Sequence, residues 1–234
     1  MIPATYLRKL YNESALIDYT IVSAKRQTEG RGQMGTKWDS EHSKNLTISV
    51  FKDMSTTFIE HPFYVSLITS LALIRTLQSF SIRKLSVKWP NDILSEDKKV
   101  CGILIENVIK QNNLKASIIG IGLNVNQTAF GNLPKASSLK ILSGNHYNLE
   151  EVLYTTIKFL KYYFMLIRKE EYEVIKREYE SYLFRKNKPS TFIDSNGNMF
   201  TGIIKSISDS GSLQVLLEDD ILKEFELKEI TLLY

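Results

Sequence analysis

The fold is decided by residues 85–125, which read LSVKWPNDILSEDKKVCGILIENVIKQNNLKASIIGIGLNV. Four apolar runs follow one another here, separated by turn signals at Pro90, Ser95-Glu96-Asp97-Lys98 and Asn112-Asn113. No helical pattern lies between the runs, and this disfavours parallel pairing, which needs a long crossover. These residues therefore predict consecutive strands in a mixed, mostly antiparallel sheet.

Apolar residues on either side of this stretch have helical spacing. Leu67, Leu71 and Ile74 recur at helical intervals after His61-Pro62, where proline suits the first turn. The same spacing predicts a helix over residues 5–16, a second one that begins after the capping residue Asn148, and a third over residues 170–184. Alternation of apolar and polar residues predicts strands over residues 19–24 and 47–51. Helices before and after such a sheet predict an α+β fold in which they back the sheet.

The composition changes at Arg185-Lys186-Asn187-Lys188-Pro189. Beyond this segment, short β-rich runs alternate with turn signals, of which Asn196-Gly197 is a strong hairpin signal. About four or five short strands in this segment predict a small β barrel. We therefore predict two domains, over residues 1–186 and 187–234.

Composition and charge are those of an ordinary globular protein. Of the 234 residues, 43% are hydrophobic and 24% are charged, and the formal net charge of +4 is too small for a nucleic-acid footprint. The single Cys101 excludes an internal disulfide framework, and the three histidines show no metal-ligand spacing. No apolar run reaches membrane-spanning length and no signal-peptide pattern is present, so we expect a cytoplasmic location and no membrane association.

A glycine-rich loop, Gly30-Arg31-Gly32-Gln33-Met34-Gly35, precedes the predicted strand at residues 47–51. Glycines let backbone amides approach an anion closely, and the arginine adds a fixed positive charge. The loop lacks the Gly-Lys-Ser/Thr ending of a P-loop, and the strand behind it does not fit a dinucleotide-binding motif. Taken alone, the loop fits anion binding and a tight connection between two elements equally well.

Further short motifs follow this loop in order. They are Trp38, Lys88-Trp89-Pro90-Asn91-Asp92, Lys99-Val100-Cys101-Gly102-Ile103-Leu104-Ile105-Glu106, Gly120-Ile121-Gly122-Leu123-Asn124-Val125-Asn126 and Leu133-Pro134-Lys135-Ala136-Ser137-Ser138-Leu139. Each is weak or moderate alone, but together, with Gln27-Thr28-Glu29 before the loop, they resemble the biotin–protein ligases over nearly the whole chain. The resemblance implies the class II synthetase-like catalytic domain of biotin and lipoate ligases, followed by an SH3-like β barrel.

The resemblance also implies a reaction. Ligases of this kind join the biotin carboxylate to the α-phosphate of ATP, which gives biotinyl-5′-AMP and pyrophosphate. They then transfer biotin to one lysine of a biotin carboxyl carrier domain, here that of a biotin-dependent carboxylase. Because such a site brings two anions together, it needs fixed positive charge, preorganised donors and a metal ion. The implied substrates and cofactors are biotin, ATP and Mg²⁺.

The resemblance assigns roles to individual residues. The implied catalytic residues are Lys99, Arg31 and Lys88. The implied biotin-binding residues are Gln27, Gly30, Arg31, Gly32, Trp38, Lys99 and Gly102. The implied contacts with ATP or the adenylate are Gln33, Met34, Gly35, Trp89, Asn91, Asp92, Gly122, Asn124 and Asn126, and Asp92 is also the implied ligand of a nucleotide-bound Mg²⁺.

The residues alone leave other interpretations open. Lys99 also fits a plain charged turn, in which only the strand that follows distinguishes it from Lys98. Lys88 also fits an edge strand, and Asn91-Asp92 also fits an ordinary turn. Trp89 fits a core position better than a ligand contact. These motifs gain their functional meaning only in combination.

The sequence departs from the family pattern at several positions. Ile2-Pro3-Ala4 stands where the family has a strand ending in Ser-Thr-Asn that helps to hold biotin. Gln33 and Thr36 occupy loop positions that often carry arginine, and residues 228–234 lack the usual Gly-Glu and final arginine. No winged-helix segment precedes the loop, so we expect no binding to operator DNA.

Two alternative functions stay open at this stage. Lipoate–protein ligases share the catalytic fold and the adenylation step. A catalytically weak biotin-binding relative is compatible with the replacement of the Ser-Thr-Asn strand. The sequence does not fix the oligomeric state, for which we expect a monomer or a weak, ligand-induced homodimer.

Overall fold

The computed structural model describes residues 2–27, 30, 32, 38, 40–57, 59 and 61–234. The helices are α1 Pro3–Glu13, α2 Tyr64–Ser79, α3 Leu139–Ser143, α4 Leu149–Arg168 and α5 Tyr172–Ser181. The strands are β1 Ile21–Ser23, β2 Leu46–Asp53, β3 Leu85–Lys88, β4 Asp92–Ser95, β5 Lys98–Lys110, β6 Asn113–Leu123, β7 Pro189–Asp194, β8 Met199–Ile207, β9 Leu213–Leu217, β10 Leu222–Phe225 and β11 Ile230–Leu233. The predicted α+β class is confirmed.

The larger sheet has six strands in the order β1-β2-β6-β5-β4-β3, and its neighbouring strands pair antiparallel. The long hairpin of β5 and β6 sets its centre, with Gly102 opposite Gly122. Within the described residues, parallel pairing occurs only in isolated bridges, which join Val87 to Leu183 and Lys99 to Ala136. The sheet is therefore the one that the short turns between residues 85 and 125 predicted.

The two faces of this sheet are covered differently. One face packs against α2 and α4, and α2 is buried on nearly all sides because α4 and α5 lie against it. On the other face, α1 covers only one end, where Ala4 and Leu7 pack against Phe51, Ala116 and Ile118. None of the helices in the described part of the chain covers the opposite end of that face, and this leaves space above the glycines of β5 and β6.

Capping residues define where two helices begin. The Asn148 side chain accepts hydrogen bonds from the backbone N–H groups of Glu150 and Glu151 at 2.8 and 3.3 Å, so the predicted cap of α4 is confirmed. Ser138 caps α3 in the same manner and accepts from Ile141 N–H at 3.2 Å. The sequence pattern did not predict α3, because a helix of this length is too short to show a periodicity.

The C-terminal strands form a second sheet in the order β10-β9-β8-β7-β11, with antiparallel pairing. Phe200 stacks between Phe192 and Phe225 in its core, at ring-centroid distances of 5.3 and 5.5 Å. Strands β10 and β11 are its two edges, so the sheet is open between them, and the unit fits the small SH3-like domain that we predicted.

The two sheets contact each other directly. The Trp89 indole Nε1 donates a hydrogen bond to the carbonyl of Gly211 at 2.9 Å, which joins the turn after β3 to the loop before β9. The domain boundary between residues 186 and 187 stays a prediction. Among the described residues, no helix combines the length and the apolar character that crossing a membrane requires.

Candidate functional site

The uncovered end of the larger sheet forms the floor of a cavity of about 340 Å³. Gly102 of β5 and Gly120 and Gly122 of β6 lie on this floor, beside Thr47 and Ser49 of β2. Side chains alternate between the two faces of a strand, so glycine at these positions leaves one face bare. A volume of this size suits a small-molecule ligand.

Trp38 lies flat against this glycine floor. A Cβ atom placed on Gly122 would be 2.5 Å from Trp38 Cε2, and one placed on Gly102 would be 3.2 Å from Trp38 Cζ3. The Trp38 backbone N–H donates to the carbonyl of Gly30 at 2.9 Å. A side chain on Gly30 would collide with the Trp38 carbonyl and with the Gln27 side chain. The glycines of three separate motifs thus make room for Trp38, Gly102 and Gly122 for its indole and Gly30 for its backbone carbonyl.

A β-bulge in β5 determines which of two neighbouring lysines, Lys98 or Lys99, faces the cavity. The pairing of β4 with β5 shifts by one residue at Val100. In a regular strand, alternation would place Lys98 on the same face as Gly102, but the bulge brings Lys99 there instead, with its Nζ 3.5 Å from the point where a Cβ on Gly102 would lie. The Lys98 ammonium turns away and donates to the carbonyl of Pro134 at 2.9 Å.

The Lys99 ammonium is held by charge and by an aromatic ring. Its Nζ lies 2.7 Å from Asp92 Oδ1, in an ion pair whose carboxylate side chain is 18% exposed. The same ammonium lies 5.7 Å from the centre of the Trp38 ring. Because both partners are partly removed from water, the position of the ammonium at the cavity wall is well defined.

A groove of about 430 Å³ opens beside the cavity, between the larger sheet and the C-terminal sheet. Lys88, Trp89 and Asp92 line it. The groove shares four lining residues with the cavity, and these are Gly32, Asn91, Lys99 and Leu104. Two compartments therefore meet at the Lys99 ammonium.

Lys88 is the second lysine at this junction. Its Nζ lies 4.5 Å from the centre of the Tyr234 ring. Burial lowers the pKa of Lys88, the neighbouring charges of Lys99 and Lys135 lower it further, and Asp92 opposes them. Burial, with the nearby Asp92 charge, raises the pKa of the Tyr234 hydroxyl. The junction therefore concentrates positive charge in a partly desolvated place.

The turn between β3 and β4 is fixed by backbone contacts. The Asn91 side-chain amide donates to the carbonyl of Ile103 at 2.7 Å, and the Ile103 N–H donates back to the Asn91 carbonyl at 3.0 Å. The peptide bond between Trp89 and Pro90 is cis. Asn91 and Trp89 both line the groove, as a nucleotide contact requires, but each also has a structural hydrogen bond.

Two of the implied nucleotide contacts have structural partners. The Asn124 amide donates to the carbonyl of Ser137 at 3.0 Å while the residue lines the cavity. The Asn126 amide pairs with the backbone of Tyr147 through both its nitrogen and its oxygen, at 2.8 and 3.0 Å, and Asn126 does not line the cavity or the groove. The geometry therefore supports a ligand contact for Asn124 but gives none to Asn126.

A buried amide network anchors the loop behind the cavity. Asn45 donates to Gln127 Oε1 at 2.5 Å and accepts from the Val125 N–H at 3.1 Å. Replacing Asn45 by alanine leaves the Val125 N–H buried without this partner, so we expect a loss of about 1 to 3 kcal/mol in the free energy of unfolding. Urea denaturation measures it, with alanine at the exposed Asn145 as the control. An equal midpoint for both variants would contradict the assigned role of the network.

Several of the predicted site residues are brought together. Gln27, Gly32, Trp38, Lys99, Gly102, Gly122 and Asn124 line the cavity, and Lys88, Trp89 and Asp92 line the groove, with Asn91 at both. Gly30 contacts Gln27 and Trp38 behind this lining. The predictions for Arg31, Gln33, Met34 and Gly35 lie outside the described residues.

The sequence analysis gave no individual site role to several of the lining residues. Ile2 and Ala4, which stand where the family pattern has Ser-Thr-Asn, lie at one end of the cavity, and Lys135 and Tyr234 lie at the other. The positions of Ile2 and Ala4 could have indicated a role in the site, because these residues replace a family motif that helps to hold biotin. Tyr234 carried no signal, since only the packing of the C-terminal sheet brings it to Lys88.

Ligands for a protein-bound metal are few. The described part of the chain contains no group of three or more histidine, cysteine, aspartate or glutamate side chains arranged to hold an ion. Cys101 is fully buried, and burial raises the pKa of its thiol. Of the described residues that line the groove, Asp92 is the one with a carboxylate. A metal ion here would therefore take most of its ligands from a bound nucleotide.

Comparison with known proteins agrees with this architecture. The sequence model of the biotin/lipoate A/B protein ligase family matches residues 1–124. The bifunctional ligase/repressor BirA of Bacillus subtilis (strain 168) is 34% identical over 108 residues, which cover 46% of this chain and 33% of that protein. The biotin–[acetyl-CoA-carboxylase] ligase of Mycobacterium tuberculosis is 31% identical over 126 residues, which cover 53% of this chain and 46% of that protein.

Solved structures extend the similarity along the chain. The biotin protein ligase from Aquifex aeolicus in complex with biotin and ATP superimposes with a TM-score of 0.80 at 27% identity, over 97% of this chain and 93% of that one. The biotin protein ligase from Leishmania major, at 20% identity and a TM-score of 0.63, shares the fold over 97% and 95% of the two chains. The matches to the BirA proteins span only about a third of their length. With its family match over residues 1–124, the chain belongs to the biotin/lipoate A/B protein ligase family.

Proposed function

We propose that this chain is an ATP-dependent biotin–protein ligase, which forms biotinyl-5′-AMP and transfers biotin to a lysine of a biotin carboxyl carrier protein. The observation that carries this proposal is the meeting of the cavity and the groove at Lys99. One ligand can bind in the cavity and another in the groove, with the reacting ends of both next to the Lys99 ammonium. The Aquifex relative, which binds biotin and ATP, supports this assignment of the ligands.

The proposed chemistry uses the positive charge at the junction. A biotin carboxylate oxygen attacks the α-phosphorus, and the bond to the bridging oxygen breaks as pyrophosphate leaves. The Lys99 ammonium lies where both anions meet and stabilises the charge that accumulates in the transition state. Asp92, at 2.7 Å, orients that ammonium. In the second step, a lysine amine of the carrier attacks the mixed anhydride and AMP leaves.

The cavity suits the ring end of biotin. Ile2, Ala4, Gly120 and Gly122 give it apolar walls and a bare floor, while Thr47 and Ser49 offer hydroxyl groups. A mostly apolar pocket with a few fixed polar groups is the usual arrangement for a small ligand. Ile2 and Ala4 would replace the contacts that Ser-Thr-Asn makes in the family pattern. The biotin-binding roles of Gln27, Gly30, Gly32, Trp38 and Gly102, and of Arg31, belong to the same proposal.

Mg²⁺ fits this site as a companion of ATP. The phosphates would supply most of its ligands and Asp92 the one protein carboxylate, an arrangement that Mg²⁺ commonly adopts. When bound, the ion would neutralise charge on the triphosphate. Asp92 already holds Lys99, and so it links the ammonium to the nucleotide end of the groove.

The protein partner follows from the proposed reaction. It is the carrier domain of a biotin-dependent carboxylase, as the names of the ligases from Mycobacterium tuberculosis and Paracoccus denitrificans suggest for those proteins. We assign the catalytic chemistry to residues 1–186 and place the C-terminal sheet of residues 187–234 against the groove. Light scattering with and without biotin and ATP measures the mass of the particle and therefore its oligomeric state. A cytoplasmic location stays a prediction.

The first experiment is to measure pyrophosphate release from ATP by the purified chain. We expect release that depends on biotin, followed by a biotin-sized mass gain on an added carrier domain. Lipoate in place of biotin is the matched comparison, and a preference for lipoate would reassign the chain within the family. Biotin binding by calorimetry without any pyrophosphate release would instead identify a non-catalytic biotin-binding protein.

The lowered pKa of Lys88 predicts a pH dependence of ATP use. The ammonium form attracts phosphate, and it is lost as the pH rises through a pKa that lies below the ordinary lysine value of about 10.4. The KM for ATP should therefore rise between neutral pH and that value, while the KM for biotin changes less. In Lys88→Arg the side chain stays charged, so the rise should flatten. The same pH profile in both proteins would assign the titration to another group.

A further inference from the structure

Tyr234 contacts two ammonium groups at the edge of the cavity. The Lys135 Nζ lies 3.9 Å from the centre of its ring, and the Lys88 Nζ lies 4.5 Å from it. The ring is itself held by Phe184, edge to face, at a centroid distance of 5.1 Å. One aromatic side chain after the C-terminal sheet therefore contacts two lysines that come from separate parts of the larger unit.

The charge at this place is unbalanced. The ammonium groups of Lys88, Lys99 and Lys135 lie near one another, and each of the last two lowers the pKa of the first. Among the described residues that line the cavity and the groove, Asp92 is the only carboxylate, and it is paired with Lys99. Like charges that are partly desolvated repel one another, and a bound anion would relieve this repulsion.

The position of Lys135 is set by the backbone. The Lys99 N–H donates to the Lys135 carbonyl at 2.7 Å, and the Ser137 N–H donates to the Lys99 carbonyl at 2.9 Å. These bonds tie the loop before α3 to β5 as a parallel bridge. The exposed Lys135 side chain therefore starts from a backbone position that is fixed beside Lys99, and its ammonium contacts the Tyr234 ring.

We propose that Lys135 and Tyr234 form, with Lys88, a clamp for the β- and γ-phosphates of the nucleotide and for the pyrophosphate that they become. Lys135 and Lys88 supply charge to the phosphate oxygens, and Tyr234 is a positioning residue that holds the two ammonium groups next to its ring. This clamp deepens the proposed ligase function and rests on it for the identity of the nucleotide. It gives the C-terminal sheet a direct part in the reaction.

The test measures binding of inorganic pyrophosphate by calorimetry, which does not depend on ligase activity. We expect Lys135→Ala and Tyr234→Leu to weaken this binding at least ten-fold, and Lys135→Arg and Tyr234→Phe to retain it. Binding of AMP and of biotin should not change, because neither ligand carries the β- and γ-phosphates. In turnover, the KM for ATP should rise in the two weakened variants while the KM for biotin stays constant.

A second lysine–tyrosine pair provides the control. The Lys110 Nζ lies 5.7 Å from the Tyr11 ring at the far end of β5 from Lys99, and Lys110→Ala should leave pyrophosphate binding unchanged. Pyrophosphate binding that is absent in the wild type, or equal in wild type, Lys135→Ala and Tyr234→Leu, would overturn the clamp. Biotin-dependent adenylation that continues in that case would leave the ligase function standing. A working clamp without adenylation would refute the ligase function alone.

Discussion

Replacing Lys99 by alanine should slow biotinyl-adenylate formation by roughly 30- to 1,000-fold, which corresponds to about 2 to 4 kcal/mol of transition-state stabilisation. The Lys99 ammonium lies where the cavity and the groove meet, 2.7 Å from the Asp92 carboxylate that orients it. With alanine at position 99, this ammonium would no longer face the two anions as they approach each other. Single-turnover measurement of adenylate formation, with saturating biotin and ATP, isolates this chemical step.

The neighbouring lysine is the matched control for this experiment. Lys98→Ala removes an ammonium of the same type one residue away, but that ammonium points to the Pro134 carbonyl and not to the cavity. We expect Lys98→Ala to keep the rate of adenylate formation within about two- to three-fold of the wild type, since it removes one exposed hydrogen bond. An equal loss of rate in the two variants would show that Lys99 has no special place in the reaction.

The difference between Lys98 and Lys99 shows which features of the site the sequence pattern can predict and which it cannot. Alternation along β5 would put Lys98 on the face of Gly102, and only the bulge at Val100 reverses this. Nothing in the spacing of apolar residues indicates where a strand will bulge, because the bulge depends on the pairing with β4. The family resemblance selected Lys99, which the structure places in the cavity wall, for a reason that the local pattern does not contain.

The larger elements were predictable because their signals are local. Short turns between residues 85 and 125 predicted the antiparallel order of β3 to β6, and Asn148 predicted the beginning of α4. The ends of the cavity were not predictable, since Ile2 and Tyr234 reach it through packing between distant elements. The open C-terminal sheet likewise depends on whether β10 and β11 meet, and short strands do not encode this.

The second large effect is expected from a substitution at Gly122, in the glycine floor of the cavity. Replacing Gly122 by alanine should weaken biotin binding by about 1 to 3 kcal/mol, or roughly 5- to 150-fold, the range for forcing a methyl group into a packed site. The new Cβ would lie 2.5 Å from Trp38 Cε2 and 2.9 Å from Trp38 Nε1, too close for both to keep their places. Because the Trp38 backbone is tied to the Gly30 carbonyl, the indole must turn toward the space that biotin is proposed to fill.

Two comparisons separate this mechanism from general crowding. Gly120→Ala adds a methyl group to the same strand and the same floor, but its nearest neighbour is the Leu104 carbonyl at 3.0 Å and not Trp38. Calorimetry should therefore show a smaller loss of biotin affinity for Gly120→Ala than for Gly122→Ala. A double-mutant cycle with Trp38→Ala adds the decisive measurement, because the indole can obstruct the cavity only while it is present. If Gly122→Ala costs as much affinity without Trp38 as with it, the indole is not the cause, and the methyl group blocks the ligand directly.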